Sequence, residues 1–400
     1  MPNSILTATA VTREALRVLH QKLNFIGNIN RQYDDSFAKS GAKIGDSLKV
    51  RLPNQYVVRT GATLSAQDTA ETSTTLQVAT QKGVDLSFTS LDLTLSLDDF
   101  SKRILDPAMS VLAANIEADA LTMYKDVYNV VDQDATAFTW NTVLNGRKML
   151  NDNLAPMDNQ RRALLSTGSS VKLVDALKGL FQDSGEISKQ YKEGMMGRSA
   201  GFDFYENTLL VPHTTGTAAK TTGYTVNGAV TANGSAAVVV QTGATTFKKG
   251  DVFTVAGCFR VHPETKVSTA VLQNFVVTAD YAGGAGSVSF APAIYTSGGR
   301  QNVVAAGMAN SSAIVKVAAG ASELINADMV FHKDAFTFAT ADLVMPSGVD
   351  FTAREVQDGL SMRIVRAYDI NNDAFPCRLD ILYGYKTLRA ELASRLHADG

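Results

Sequence analysis

The chain has 400 residues, of which 45% are hydrophobic and 19% charged, and its formal net charge at pH 7 is -2. This length favours two or three domains with ample core, and the near-neutral charge excludes the basic excess typical of proteins that bind nucleic acid tightly. The two cysteines, Cys258 and Cys377, lie far apart and outside any CxxC or Cys/His cluster. We therefore expect free intracellular thiols, and neither a disulfide framework nor a structural zinc site.

The N-terminal arm predicts a short amphipathic helix over Thr12–Leu23, with Thr12 as its N-cap. The only apolar run among the first 30 residues contains three charged side chains, so no signal peptide is expected. No window of 18 uncharged apolar residues predicts a transmembrane helix. A protein that is made and used, or assembled, in cytoplasm fits best. A single amphipathic helix cannot bury its own apolar face, so this one must pack on another element.

The segment Gly45–Ser87 alternates apolar and polar residues in four stretches, with a polar interval at Ser65–Glu71. This pattern predicts a long β-hairpin with polar edges and a flexible tip. Because an isolated two-stranded ribbon is marginal in water, we expect a protrusion that is stabilised by another chain. An ordinary hairpin folded back on its own domain is the alternative.

A long helix is predicted next, with Asp106 as its N-cap and Pro107 as its first helical residue. From Pro107 to Tyr128 it would be about 33 Å long. Its apolar residues recur at spacings of three and four and so share one face, which needs a sheet or another subunit beside it. They are Ala108, Leu112, Ile116, Ala120, Met123 and Val127.

Mixed α/β sequence follows this helix. Helices are predicted at Trp140–Leu150 and Ser170–Gln182, and strands at Arg162–Ser166 and Phe202–Val211. The second helix is predicted to turn one apolar face inward, formed by Val171, Val174, Leu177, Leu180 and Phe181.

The composition changes abruptly between Thr214 and about Ala319, where Gly, Ala, Thr, Ser and Val dominate. Short strands alternating with glycine turns predict an all-β barrel or sandwich inserted into the α/β sequence, which resumes at Met329. The end of the chain predicts a strand followed by a short C-terminal helix. The aromatic residues of the insertion fall at strand positions and are predicted to be core: Phe247, Phe253, Phe259, Phe275, Tyr281 and Phe290.

Catalytic constellations are absent from the sequence. It contains no Gly-Lys dipeptide for a Walker A loop, and no HExxH, GxSxG or GxGxxG motif. The five histidines are scattered, and His332 is expected to be a structural residue. Gly194–Gly201 is expected to be a loop, and Asp98–Asp99 to act through capping or the helix dipole. We predict no enzyme activity and no catalytic, cofactor-binding or metal-binding residues.

A family resemblance rests on four blocks of sequence. The block from Thr60 to Tyr124 resembles the extended loop and spine helix of tailed-bacteriophage major capsid proteins with the HK97-type fold. Residues 199–212, 247–257 and 329–346 match the layout of the P22-type coat branch, in which a β-rich domain interrupts the central domain. The resemblance implies an α+β fold with this order: N-terminal arm 1–33, extended loop and peripheral domain with spine helix 34–131, first part of the central domain 132–216, inserted β-rich domain 217–317, and return to the central and peripheral domains 318–400.

The resemblance also implies a function. Such a protein self-assembles as hexamers and pentamers into an icosahedral shell around double-stranded DNA, which it contacts without sequence specificity. Its partners during assembly in the bacterial cytoplasm are a scaffolding protein and a portal protein, no membrane is involved, and the procapsid expands as DNA enters. We expect no cofactor and no lysine–asparagine crosslink.

In this family the extended loop lies over an adjacent subunit. The candidate inter-subunit residues are Arg59, Asp68 and Glu71, which are expected to form salt bridges at the hairpin tip. Replacing Arg59 or Glu71 should weaken assembly and leave the monomer folded. Two other interpretations remain: a β-sandwich binding or adhesin-type module on an α/β platform, and an α/β hydrolase-like enzyme, which the missing motifs disfavour.

Overall fold

A computed structural model describes residues 8–33, 46–59, 61–64, 66–67, 72–88, 104–177, 197–318, 320–349, 351–357, 359–370 and 375–399. The chain divides into two compact units, each made of three separate segments. The first unit comprises Met1–Arg51, Ser73–Thr122 and Phe336–Leu388. The second comprises Leu52–Thr72, Met123–Ala335 and Arg389–Gly400.

The first unit is built on a six-stranded sheet. Its strands are β1 (Asn30–Tyr33), β4 (Thr80–Phe88), β18 (Phe336–Ala341), β19 (Phe351–Gln357), β20 (Leu360–Arg366) and β21 (Phe375–Thr387). The order is β1-β18-β21-β20-β19, and β4 pairs along the first part of β21. Two further strands, β2 (Asp46–Leu52) and β3 (Thr72–Val78), pair with each other and form the arms of the extended loop.

Two helices pack on this sheet and on each other: α1 (Ala8–Lys22) lies on β19 and β20, and α2 (Asp106–Leu121) lies on β4. The stripe predicted for α2 is confirmed, because all six of its apolar residues are buried. The α-helix is shorter than predicted, since it changes to a 3₁₀ helix at Thr122–Asp126. Its sixteen residues span about 24 Å.

Both predicted helix caps are wrong. Thr12 lies inside α1, with no exposed surface, because the helix already begins at Ala8. The N-cap position of α2 belongs to Leu105, whose backbone is helical and whose side chain makes no cap. Asp106 is therefore the first helical residue, where its carboxylate still interacts favourably with the N-terminal end of the helix dipole.

The second unit contains another six-stranded sheet, with the order β5-β22-β17-β6-β8-β7. Its strands are β5 (Val130–Ala137), β6 (Arg161–Leu165), β7 (Arg198–Ser199), β8 (Phe202–Glu206), β17 (Met329–His332) and β22 (Ala393–Asp399). Helix α3 (Trp140–Asp152) packs on β5, β17 and β22, and contacts α4 (Thr167–Leu177). The predicted strand at Phe202–Val211 ends early, because the side chain of Asn207 accepts the Leu209 N–H at 2.8 Å and so forms a turn.

Two predictions about this unit are wrong. The inward face of α4 is formed by Ser169 and Leu173, whereas Val171 is 64% exposed; Leu180 and Phe181 lie outside the described residues. The predicted C-terminal helix is a short 3₁₀ turn at Ala390–Leu392 followed by β22. Because β22 is buried between β5 and β17, its tertiary surroundings override the helix propensity of its sequence.

The inserted β-rich segment is a closed six-stranded barrel with the order β10-β11-β14-β13-β12-β15. The strands are β10 (Thr221–Val226), β11 (Ser235–Gln241), β12 (Val252–Val261), β13 (Ser268–Val277), β14 (Gly286–Ile294) and β15 (Ala313–Val317). A two-stranded ribbon of β9 (His213–Thr214) and β16 (Leu324–Ile325) lies beside its entry and exit. The α+β fold class with an inserted barrel is confirmed.

The barrel has its own hydrophobic core. Phe247, Phe253, Phe275 and Phe290 are buried in it, with ring centroids of neighbouring pairs 5.0–6.3 Å apart. Tyr281 packs against this core, and Phe259 is half-buried on β12. The prediction that these aromatic residues serve packing is therefore confirmed for the four fully buried rings.

Candidate assembly surface

The base of the extended loop is fixed to the first unit's sheet. Leu76 and Val78 of β3 are buried in a cluster with Ala339, Ala341, Leu343 and Leu382. Strand β3 passes very close to β21, since a Cβ on Gly384 would lie 2.1 Å from the Gln77 carbonyl oxygen. Only glycine permits this approach. The loop therefore leaves the unit from a firmly packed base.

The loop tip, which we define as the described residues of 53–67, has no partner strand within the described part of the chain. Its two sides are joined by one side chain: the Val57 N–H donates to Gln67 Oε1 at 2.8 Å, and the Gln67 amide donates to the Val57 carbonyl. The hairpin predicted over Gly45–Ser87 has no strand at residues 56–59, because this pairing uses a glutamine side chain in place of a backbone ladder.

Several large apolar side chains of the loop tip face solvent. Tyr56 is 57% exposed, Val58 88% and Leu64 83%. Isolated exposed apolar residues are ordinary, but a group of them on one short segment is typical of an interaction surface. The sequence contains a signal for this surface, the run Tyr56-Val57-Val58 with no apolar segment opposite it. The prediction of contact residues considered only charged side chains and so missed this run.

Of the three predicted contact residues, Arg59 lies on this exposed tip. Its guanidinium donates to the carbonyl of Gly61, which holds the side chain across the turn. Asp68 and Glu71 lie outside the described residues. Arg59 is the charged neighbour of the exposed apolar group, which is the usual arrangement of a polar rim beside an apolar centre.

A second exposed apolar group lies at one end of the first unit's sheet. The register places the end of β20 beside the beginnings of β19 and β21, since Arg366 is the partner of both Phe351 and Cys377. The Arg363 guanidinium, earlier on β20, donates to the Val344 carbonyl at 2.5 Å. We call the end of β20 and the residues that follow it the sheet-end surface; its exposed members are Tyr368 (47%) and Ile370 (79%).

No catalytic site emerges among the described residues. They contain no group of three or more His, Cys, Asp or Glu side chains that could hold a metal ion. His332 is buried, and its Nε2 lies 3.0 Å from Asp158 Oδ1, which fits its predicted structural role. Both cysteines are free thiols and buried, and burial raises the pKa of each to about 12. No described helix is long and apolar enough to span a membrane.

A family model described as "P22 coat protein - gene protein 5" matches residues 28–395, nearly the whole chain. The chain belongs to the P22 coat protein family. It is therefore a phage major capsid protein, a structural subunit of a self-assembled virion shell, with an HK97-like fold. No curated protein matches the sequence.

Three solved structures are similar to this coat protein. One is of Mycobacterium phage Che8, at 12% identity and a TM-score of 0.46, covering 94% of this chain and 91% of that one. Another is of the bacteriophage PhiM1 mature capsid, at 10% identity and a TM-score of 0.43, covering 94% and 87%. The third, a CUS-3 coat protein I-domain, is 27% identical with a TM-score of 0.20, covering 24% of this chain and 96% of that one. These TM-scores are low, and the assignment rests on the family-model match.

Proposed function

We propose that this coat protein assembles as hexamers and pentamers into an icosahedral shell that encloses double-stranded phage DNA. Assembly takes place in the bacterial cytoplasm, with a scaffolding protein and a portal protein as transient partners. The DNA is enclosed without sequence-specific contacts, in keeping with a net charge of -2. The role is structural and includes no catalysis.

The exposed apolar loop tip carries this proposal. Val58 and Leu64 keep most of their surface in contact with solvent within their own chain, being 88% and 83% exposed. Covering such side chains on a second copy removes apolar surface from water, at about 25 cal/mol per Å². The tip lies over an adjacent subunit, and Arg59 forms a rim contact there with an acidic group. The sheet-end surface is a second region of the same character and offers another contact between copies.

The domain layout follows the same proposal. Residues 1–33 form the arm, 34–131 the extended loop and peripheral domain, 132–216 and 318–400 the central domain and its return, and 217–317 the insertion. The closed barrel at Thr221–Val317 supports the last of these ranges. Its buried aromatic core leaves few rings for the alternative function, an adhesin-type module that binds ligands through exposed aromatic residues.

Negative-stain electron microscopy of the expressed chain, with and without a co-expressed scaffolding protein, tests the proposal. We expect closed shells, tubes or partial shells from the unchanged chain. A triple variant Tyr56→Ser, Val58→Ser, Leu64→Ser should stay folded by circular dichroism and form no shells. Val239→Ser, which changes an exposed valine on barrel strand β11, is the matched control. Shells of normal yield from the triple variant would refute the role of the tip; monomers from the unchanged chain despite scaffolding protein would refute the shell.

A further inference from the structure

Strand β22 presents two different faces to the second unit. Leu396 points toward α3, because a Cβ on Gly146 of that helix would lie 2.9 Å from Leu396 Cδ2. Side chains alternate along a strand, so Arg395 and His397 share the opposite face. Both are buried, with 2% and 3% of their surface exposed. This face of β22 is where the barrel meets the central sheet.

Arg395 ties three elements together at this place. Its Nη1 donates to the Gly250 carbonyl at 2.6 Å, just before barrel strand β12. Its Nη2 donates to the Lys125 carbonyl at 2.9 Å in the 3₁₀ helix, and its guanidinium lies 5.3 Å from the ring centre of Tyr124. Both hydrogen bonds go to neutral carbonyl groups, so neither acceptor neutralises the charge of the buried guanidinium.

The barrel contributes a buried carboxylate, that of Asp251. Its Oδ1 lies 2.8 Å from Nε2 of His213 on β9, and its Oδ2 accepts the N–H groups of Gly216 and Lys248 at 2.9 Å each. This carboxylate thus has its hydrogen bonds filled by the barrel and its entry strand. Asp251 directly follows Gly250, whose carbonyl accepts the hydrogen bond from Arg395.

His397 completes the group. Its Nδ1 has no hydrogen-bonding partner in the described structure. Burial, and then the nearby guanidinium of Arg395 and imidazole of His213, lower the pKa of His397 well below its ordinary value of 6.5. Other charged groups nearby are already paired: Asp132, its register neighbour on β5, with Lys220 at 3.7 Å, and Asp126, near Arg395, with Lys249 at 3.9 Å.

We propose that Arg395, His397, His213 and Asp251 form a buried joint that fastens the barrel to the central sheet and that acid opens. In the closed joint the buried guanidinium of Arg395 already carries one positive charge. A proton on His397 would add a second buried cation beside Arg395. The charged imidazole would be removed from water, and no hydrogen bond at its Nδ1 would compensate for that loss.

The direction of the pH dependence follows from linkage. Once the joint opens, His397 is hydrated and titrates near 6.5. Below that pH the open form binds a proton that the closed form does not, so acid favours opening. The equilibrium constant for opening then rises toward about tenfold per pH unit, until the pH reaches the low pKa of the closed form.

Opening of this kind leaves the barrel itself intact. The barrel has a closed strand ladder and a core of its own, so it can separate as a cooperative unit. Around the joint lie an apolar contact of Val130 with Val252 and Val276 and the ion pair of Arg260 with Asp152 at 2.7 Å. Neither of these two contacts contains a histidine side chain.

Hydrogen exchange of the full chain, measured by mass spectrometry between pH 5.0 and 7.5 and corrected for intrinsic exchange, tests the proposal. We expect peptides covering β22 and residues 248–252 to open several-fold more per pH unit below about pH 6.5, while peptides of the barrel core stay protected. His397→Gln should flatten this pH dependence. His262→Gln, which removes a histidine from the β12–β13 turn of the barrel, should leave it unchanged.

A steep dependence that persists in His397→Gln would overturn the proposal, as would equal loss of protection in the barrel core. Exchange of the imidazole C2 hydrogen gives a measurement that needs no variant. It should report a His397 pKa well below 6.5 in the unchanged protein. A His397 pKa at or above 6.5 would overturn the proposal even if His397→Gln failed to fold.

Discussion

The carboxylate of Glu117, buried in the middle of α2, accepts the backbone N–H of Phe25 at 2.9 Å. It also accepts the N–H of Asn24 at 2.7 Å. These two donors lie just after α1, in the turn that leads to the 3₁₀ helix Ile26–Asn28. A charged acceptor for two adjacent N–H groups fixes the path of the chain between α1 and β1. The N-terminal helix is thus held to the spine helix by a specific polar contact.

Glu117→Gln should lower the free energy of unfolding by about 1–3 kcal/mol, because an amide group offers one acceptor where the carboxylate offers two. The loss should be accompanied by faster proteolysis between α1 and β1. Glu14→Gln is the control, since Glu14 forms an ion pair with Arg17 one turn further along the same helix, α1. Equal stability of the two variants in urea titrations would contradict the anchoring role.

Gly250→Ala should weaken the contact between barrel and central sheet. Its backbone φ is +101°, and a Cβ there would lie 3.2 Å from Cβ and Cγ of Lys125. Gly257 has a similar φ of +81° with nothing within 4 Å of such a Cβ, so Gly257→Ala isolates the backbone strain. We expect backbone strain to lower the free energy of unfolding by about 1–2 kcal/mol in both variants, and the close approach to lower it further only in Gly250→Ala. Equal thermal stabilities would show that the close approach is unimportant.

The ion pair between Arg260 and Asp152 should contribute more than the exposed pairs around the barrel. Its atoms lie 2.7 Å apart and the arginine side chain is 12% exposed, whereas Lys220, at 3.7 Å from Asp132, is 57% exposed. A double-mutant cycle with Arg260→Met and Asp152→Asn should give a coupling energy of about 1–2 kcal/mol. The corresponding cycle for Lys220 and Asp132 should be close to zero, and the reverse order would contradict the burial argument.

The two thiols should report the opening of the two units separately, because Cys258 lies in the barrel and Cys377 on β21. Burial raises the pKa of each thiol to about 12. A raised folded-state pKa stabilises the fold below the ordinary value near 9, and this contribution is lost as the pH rises toward 12. At pH 8 neither thiol should react with a thiol reagent in the native protein, and both should react in urea. Rapid native labelling of Cys258→Ala would show that Cys377 is accessible.

Arg59→Gln should leave the monomer as stable as the unchanged chain, because Arg59 bonds only to a carbonyl of its own turn among the described residues. An exposed ion pair contributes about 0–1 kcal/mol, but it is repeated at every copy of a shell. We therefore expect a higher critical concentration for assembly, measured by light scattering. Unfolding of the monomer would show that residues 53–67 are part of the fold, and the assignment as an assembly loop would fail.

Sequence periodicity predicted the elements whose burial is set locally. The stripe of α2, from Ala108 to Val127, and the strands of the barrel follow patterns that one segment displays by itself. The orientation of α4 and the fate of the C-terminal segment could not be predicted in this way. Val171 is apolar yet exposed, and Ser394 is polar yet buried. Which side of such an element faces the core depends on neighbours distant in sequence.

The candidate sites show the same division. Arg59 was predicted to lie at the tip of the loop, and its side chain is exposed there, while its role between subunits stays a prediction. The joint was missed, since His213 and His397 are separated by most of the second unit and no local pattern marks either. Their relationship arises only when β22 enters the sheet between β5 and β17.

The pairing of β4 with β21 has a consequence for the order in which a nascent chain can fold. Phe88 and Phe375 are direct partners, and 287 positions separate them along the chain. At about 5–20 residues per second, the ribosome needs roughly 15–60 s to supply the second strand after the first. The barrel, whose strands all lie between Thr221 and Val317, is complete well before that. During this interval the first unit waits with β4 unpaired, which makes it the part of a newly made coat protein that most needs protection by a chaperone.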